Sequence, residues 1–199
     1  DDAARVAGEM LSAKDPAMAR HLEGAVKWLG RAYHRRGNDR LDTVSEYGAK
    51  FADFEMAVRF DPNNASALND LAWLLAVCPV REHRDAVRAV QLATRACELT
   101  SWKNYEEVST LAAAYSETGD FEAAVNWQKK AAELLPENCP AELRANYQSR
   151  LEVYESHKPY RKGSLWSFSD GELVAHRTFD RVEGGKVPNS AGKDLYGTL

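Results

Sequence analysis

Histidine, cysteine and serine are the residues of this sequence whose side chains could take part in catalysis or bind a metal. The five histidines are scattered: His21, His34, His83, His157 and His176. No two of them have the HExxH spacing that places two imidazoles on one helix face around zinc. No serine or cysteine has a base near it in the sequence, although distant residues can assemble a triad in space. The sequence predicts surface or loop histidines, no metal site and no bound cofactor.

Two short matches to nucleotide-dependent enzymes are incomplete. Residues 83–85 read His-Arg-Asp, the tripeptide of the kinase catalytic loop, but the leucine and asparagine that should follow are missing. A glycine-rich loop and a DFG motif are also missing, and residues 184–186 and 192–193 lack the spacing of a phosphate-binding loop. Asn64 begins a formal glycosylation sequon, but its place before an apolar run favours a helix cap. These patterns predict that the chain is not an enzyme.

The composition suits one compact domain or a short repeat array. The chain has 199 residues, of which 44% are hydrophobic, and a net charge of −4. No long basic run occurs, so bulk attraction to nucleic acid or to an anionic membrane is not indicated. The apolar runs are too short for a membrane span. Three widely spaced cysteines favour reduced thiols and a cytoplasmic location. One bridge from Cys139 to Cys78 or Cys97 stays open.

Residues 105–138 have the most regular pattern in the chain. They read YEEVSTLAAAYSETGDFEAAVNWQKKAAELLPEN, which predicts a helix, a tight turn and a second helix. Gly119 would supply the left-handed residue that ends the first helix, and Pro136 would stop the second. Ala112 and Ala131 would lie where the two antiparallel helices cross. Such a unit cannot bury its apolar face alone, so neighbouring units are expected.

Two similar helix pairs precede this unit, at residues 23–62 and 65–100. In the first pair the connection through residues 37–42 is longer than a tight turn, and Lys50 stands where a small residue is usual. In the second pair, alanines recur at the small-residue positions of the second helix. The pattern predicts three consecutive units, and the connection inside the second unit, residues 78–85, also carries an insertion relative to a tight turn.

The two ends of the chain differ from these units. Residues 1–22 are predicted to form an N-terminal helix or partial repeat, and residues 139–162 a final amphipathic helix that caps the array. Residues 163–199 are polar, rich in glycine and too few for a core of their own. We interpret them as an extended arm in which residues 172–179 alternate as a short strand. Four widely spaced aromatics in the arm would enter pockets on a partner or on the chain itself: Trp166, Phe168, Phe179 and Tyr196.

The sequence resembles a tetratricopeptide repeat (TPR) protein over residues 26–161. The resemblance rests on these positions: Leu29, Gly30, Tyr33, Leu71, Ala72, Leu75, Leu111, Ala112, Tyr115, Gly119, Phe121, Ala124, Ala131 and Pro136. Residues 68–100 and 111–131 further resemble repeat blocks of planctomycete-type bacterial proteins. The resemblance implies an all-α fold, a TPR-like α-solenoid of antiparallel helix pairs with units at 23–62, 65–100 and 105–138, a C-terminal capping helix and an extended tail.

In that family the first helix of each unit lines a concave groove that binds a partner segment. The register implies these groove residues: Lys27, Arg31, His34, Asn69, Trp73, Glu106, Ser109 and Ser116. Trp73 either anchors a bound peptide or packs against an adjacent helix, and the sequence leaves both open. Of the five positions that clamp a chaperone-tail carboxylate in some members, only Lys27 has a matching residue, so that ligand is disfavoured.

The function that follows is a non-catalytic interaction scaffold for a protein or peptide partner, with no nucleic acid and no membrane span. One alternative is a regulatory TPR domain of a larger signalling enzyme such as a bacterial Ser/Thr kinase, because the chain starts at Asp1 without methionine and with a partial repeat. Another is a structural subunit of a multi-protein assembly, attached through the arm at residues 163–199.

Overall fold

A computed structural model describes residues 16–161 and two short strands, at 165–169 and 172–176. The chain divides into two compact units, Asp1–Lys162 and Gly163–Leu199. Within residues 16–161 the first unit contains seven α-helices and no strand. The predicted all-α class is therefore confirmed for this part of the chain, while most of the predicted helix at residues 1–22 lies outside the described residues.

The helices follow one another through short connections. They are α1 (Pro16–Asp39), α2 (Val44–Phe60), α3 (Ala65–Val77), α4 (Ala86–Leu99), α5 (Tyr105–Thr118), α6 (Phe121–Glu133) and α7 (Ala141–Glu155). A 3₁₀ turn, Arg81–His83, lies between α3 and α4. The most extensive packing joins α1 with α2, α3 with α4, and α5 with α6. Helix α5 also packs on α3 and α4, and α7 packs on α6.

Side-chain caps fix where the helices of the second and third pairs begin. The Oδ1 atom of Asn64 accepts from the Ala67 amide at 3.1 Å, which confirms the cap expected there. Asp85, Asn104 and Asp120 accept from the first-turn amides of α4, α5 and α6 in the same way. Such caps satisfy amides that have no partner inside the helix. The polar residues between the apolar runs therefore set the helix register.

Gly119 ends α5 with φ 88°, in the left-handed region, as predicted. Its amide donates to the Ser116 carbonyl at 3.2 Å, and the Asp120 amide donates to the Tyr115 carbonyl at 3.1 Å. This pair of bonds is a Schellman motif, which favours glycine at the left-handed position because glycine has no Cβ to clash. The tight turn brings α6 directly against α5.

Small residues are buried among the packed helices. Ala112 in α5 and Ala131 in α6 are both fully buried. In the first pair Gly30 of α1 faces α2 so closely that a Cβ there would lie 3.1 Å from the Ala57 carbonyl oxygen. Larger side chains at these places would push the helices apart, because protein interiors are close-packed.

Salt bridges hold the long connection between α1 and α2. Asp53 of α2 is 3% exposed along its side chain and accepts from Arg36 and Arg40, the latter at 2.6 Å. Lys50, which the sequence marks as irregular, is also buried, and its ammonium group lies 2.7 Å from Asp42. Salt bridges therefore join α1 and α2 in this unit, where the sequence pattern expects a small residue at position 50 and a tight turn between the helices.

The turn between α4 and α5 is also left-handed, but without glycine. Ser101 and Trp102 have φ values of 55° and 62°. The Trp102 amide donates to the Cys97 carbonyl at 2.7 Å, and its indole stacks on Trp127 of α6 with ring centroids 5.1 Å apart. Stacking of large aromatic rings offsets the cost of this backbone conformation. The turn thereby ties the end of α4 to α6.

The second unit contains an antiparallel pair of strands, β1 (Leu165–Ser169) and β2 (Glu172–His176). The register places Leu165 opposite His176 and Ser169 opposite Glu172. Strand β2 falls in the segment where a short strand is predicted, whereas β1 is not predicted by the sequence.

Ala112→Trp should destabilise the helical unit. The indole would overpack the crossing of α5 and α6, at a cost of roughly 1–3 kcal/mol or more. Ala145→Trp on the exposed side of α7 is the matched control, and its melting temperature should stay near that of the wild type. Thermal unfolding followed by circular dichroism measures both. Equal melting temperatures for the two variants would contradict the tight crossing.

Asp53→Asn should weaken the acid sensitivity of the fold. Burial raises the pKa of Asp53, but hydrogen bonds and charge from Arg36 and Arg40 outweigh it, so the pKa lies below its usual value. A lowered folded-state pKa adds stability above the unfolded pKa of about 3.9 and loses it as the pH falls.

The free energy of unfolding should be measured for the wild type and Asp53→Asn between about pH 6 and pH 3. The advantage of the wild type should shrink as the pH falls. An advantage that stays constant would show that Asp53 does not titrate with a depressed pKa.

Candidate interaction surface

Helices α3 and α5 lie side by side, and their neighbours α1 and α7 flank them. Helix α1 reaches α3 through His34, whose Nε2 lies 2.7 Å from the Asp70 carboxylate. Helix α7 reaches α5 through Arg150, which donates to the Ser109 hydroxyl at 3.0 Å. Side chains of α1 and α3 therefore meet, as do those of α5 and α7, and we call α1, α3 and α5 together the candidate surface.

Trp73 of α3 packs against other parts of the same chain. Its ring lies 5.8 Å from that of Tyr160. The Arg150 guanidinium lies over the indole, 4.6 Å from the ring centroid. The same guanidinium contacts the rings of Tyr147 and Tyr160. The sequence left open whether Trp73 anchors a bound peptide or packs within the chain. In the structure Trp73 packs within the chain, against residues that follow α6.

Glu117 binds two arginines at the end of α5. Its Oε1 accepts from Arg84 Nε at 2.9 Å, and its Oε2 lies 2.5 Å from Arg161 Nη2. Arg84 also donates to the Cys78 carbonyl at 2.9 Å, and Arg161 donates to the Ala76 carbonyl at 3.3 Å. These carbonyls end α3, where the helix dipole is negative and favours cations. The carboxylate and the helix end together form a guanidinium-binding site.

The predicted groove residues Ser109 and Ser116 are buried and do not face open space. Ser109 is fully buried and donates to Gln128 Oε1 at 2.9 Å. Gln128 in turn donates to the Tyr147 carbonyl at 3.0 Å, so this network joins α5, α6 and α7. Ser116 is 2% exposed and donates to the Ala113 carbonyl at 2.8 Å. The expectation of accessible serines is corrected, because neighbouring helices cover this stretch of α5.

The α1 end of the surface is open and positively charged. Lys27, Arg31 and Arg35 are all exposed, and we call them the basic α1 surface. Lys27 pairs with Glu23 at 2.6 Å, and this hydrogen bond raises the pKa of Lys27. Repulsion from Arg31 acts on Lys27 in the opposite direction, which places the two cations near each other. Neighbouring cations on an exposed helix face favour an acidic ligand.

Between these two ends lie polar residues of α1 and α3. Asn38 approaches the His34 imidazole at 3.2 Å, and Asn69 donates to Asp70 at 3.3 Å. The Oδ1 atom of Asn69 is buried and has no hydrogen-bond partner among the described residues. An unpaired buried acceptor is costly, which makes Asn69 an unusual polar residue of this region.

The remaining predicted binding residues are placed less centrally or are not described. Glu106 is exposed in the first turn of α5. Trp166 and Phe168 lie in strand β1, and their side chains are outside the described residues, as are Phe179 and Tyr196 altogether. The proposed role of the aromatic arm therefore stays a prediction.

The sequence-based interpretation missed Glu117, Arg150, Tyr160 and Arg161. Glu117 lies about two helical turns beyond Ser109, which the register places in the groove, so the same spacing could have indicated it. The other three follow α6 in sequence, and no local pattern assigns them to the surface of α3.

Two tyrosines on α7 have pKa values that are shifted by burial. Burial raises the pKa of Tyr147 to about 12 and also raises that of Tyr154. Both phenols thus stay protonated at neutral pH. Among the described residues, no group of three or more histidine, cysteine, aspartate or glutamate side chains is arranged to hold a metal. None of the helices described is long and apolar enough to cross a membrane.

Arg150→Ala should loosen α7 from α3 and α5. The change removes the guanidinium over Trp73 and the hydrogen bond to Ser109, which together contribute roughly 1–3 kcal/mol. Amide hydrogen exchange in residues 141–155 should rise. Gln148→Ala, which changes an exposed side chain of the same helix, is the control and should leave exchange near the wild-type level. Equal exchange in both variants would contradict the anchoring role of Arg150.

Comparison with known proteins adds no relative to this picture. No protein-family model matches the chain, and no curated protein has a significantly similar sequence. The geometry of the described residues therefore carries the functional argument: an open basic end, a polar middle and an aromatic, acidic site that already holds part of the chain.

Proposed function

We propose that this protein is a non-catalytic scaffold of the TPR type that binds a segment of a partner protein along α1, α3 and α5. The proposal rests on one observation above all. The chain's own residues after α7, Tyr160 and Arg161, lie on the surface of α3 and α5 through a tilted contact of aromatic rings and a salt bridge. A surface that binds one stretch of polypeptide in this way has the chemistry to bind another.

The helix pairing supports the TPR comparison. Consecutive helices pack as pairs, small residues such as Ala112 and Ala131 are buried, and α3 packs on α5 in the candidate surface. In the solenoid that we propose, this surface is the concave groove. The open basic α1 surface receives an acidic part of the partner segment, since its cations are exposed and lie close to one another.

Capture of a partner by the full chain tests this proposal. Tagged wild type should be compared with Lys27→Glu/Arg31→Glu and with the control Arg95→Glu/Lys103→Glu, which reverses two exposed charges elsewhere. A partner held by the wild type and the control should be lost from the first variant. The loss should be about tenfold or more in affinity, because like charges would then face each other.

Crosslinking of the captured partner to α1 would locate the contact. The proposal fails if no protein is retained by the wild type, or if both double variants retain a partner equally well. Circular dichroism should show the same melting temperature for both variants, because all four substituted residues are exposed.

A further inference from the structure

The site formed by Trp73, Ala76 and Glu117, which we call the Trp73 site, is specific in its chemistry. Its indole contacts the Tyr160 ring and lies under the Arg150 guanidinium, its carboxylate offers two oxygens, and the Ala76 carbonyl adds a third acceptor. Arg84 already occupies one of the carboxylate oxygens at 2.9 Å. The remaining oxygen and the carbonyl together suit one further guanidinium.

The occupant of this site is the segment that follows α7, residues 156–161, which we call the C-terminal segment. A Schellman motif ends α7: the His157 amide donates to the Tyr154 carbonyl at 2.9 Å, and the Lys158 amide donates to the Val153 carbonyl at 3.2 Å. His157 has φ 55°, a left-handed conformation that non-glycine residues seldom adopt. The turn directs the next residues across α5 toward α3.

The contacts of the C-terminal segment with the Trp73 site come from two adjacent side chains. Tyr160 packs its ring against Trp73, and Arg161 binds Glu117 and the Ala76 carbonyl. Both residues keep part of their surface exposed, and 20% of the Arg161 side chain is accessible. The segment has no helix or strand structure of its own. It is bound as a short peptide would be, by an aromatic ring followed by a guanidinium.

We propose that the Trp73 site is a receptor for an aromatic residue followed by arginine, and that Tyr160 and Arg161 form a built-in latch that a partner segment must displace. This inference rests on the proposed function and names the chemistry of the partner. Arginine is required rather than lysine, because its planar fork can bond the carboxylate and the carbonyl at once. Tethering gives the latch a high effective concentration, so a free segment binds weakly until the latch opens.

The test uses a fluorescent peptide with the chain's own sequence at residues 156–163, SHKPYRKG. Its binding to the full chain is measured by anisotropy for the wild type and for Tyr160→Ala/Arg161→Ala, in which the latch is disabled. The dissociation constant of the peptide should be about tenfold or more lower for the disabled chain than for the wild type. The reason is that the C-terminal segment no longer occupies the Trp73 site. Arg161→Ala alone is a milder variant, and circular dichroism checks the folding of each.

Two controls assign the binding to the Trp73 site. Adding Glu117→Gln to the disabled chain should reduce binding, whereas adding Glu155→Gln, a change of an exposed carboxylate on α7, should not. A peptide with glutamate in place of Arg161 should not bind. The inference is overturned if the disabled chain does not bind the peptide, if wild type and disabled chain bind it equally, or if Glu117→Gln has no effect. Capture of a partner through Lys27 and Arg31 is measured separately, so either proposal can fail alone.

Discussion

The burial of α5 is the constraint on which the rest of the helical unit depends. Nine of its residues are buried, among them the run Ala112, Ala113 and Ala114. Small side chains let α3, α4 and α6 approach the helix closely, and each gains dense packing in return. Four of the buried residues are polar, and these need hydrogen bonds because unpaired polar groups are costly inside a protein. Their partners, such as Gln128 for Ser109, fix where the neighbouring helices lie.

Two buried carboxylates make opposite contributions to the pH dependence of this unit. Burial raises the pKa of Glu107, despite hydrogen bonds from Thr100 and Asn104. Its contribution to stability is therefore present at low pH and is lost as the pH rises through the raised pKa. Asp53 behaves in the reverse way, because the two arginines beside it lower its pKa. The first helix pair is thus more stable when Asp53 is ionised, whereas ionisation of Glu107 lowers the stability of the third pair.

The charges along the surface of α1, α3 and α5 are unevenly distributed. Lys27, Arg31 and Arg35 are exposed at one end, and Glu117 lies at the other with Arg84 and Arg161 bound to it. In the function that we propose, a bound segment would meet cations first and a carboxylate last. Charge complementarity of this kind fixes direction and register more than it adds affinity. The hydrophobic contribution would come from Trp73, which lies beside Glu117 at the acidic end.

The sequence by itself determined the local features of this protein. Caps such as Asn64, the left-handed Gly119 and the buried Ala112 follow from short-range patterns, because helix ends and crossings depend on residues within a few positions. The all-α class of residues 16–161 follows for the same reason. The sequence also showed that the connection after α1 is long and that Lys50 departs from the pattern. It did not show the salt bridges that hold this connection.

Only the tertiary structure decided which of these residues a partner can reach. Ser109 and Ser116 share the helix face that the register assigns to a groove, yet other helices cover them. Trp73 is on that face too, and it packs on Arg150 and Tyr160. The physical reason is that burial depends on what packs from elsewhere in the chain. Arg161 and the Ala76 carbonyl are 85 residues apart in sequence, and no local pattern of charge or hydrophobicity reports such a contact.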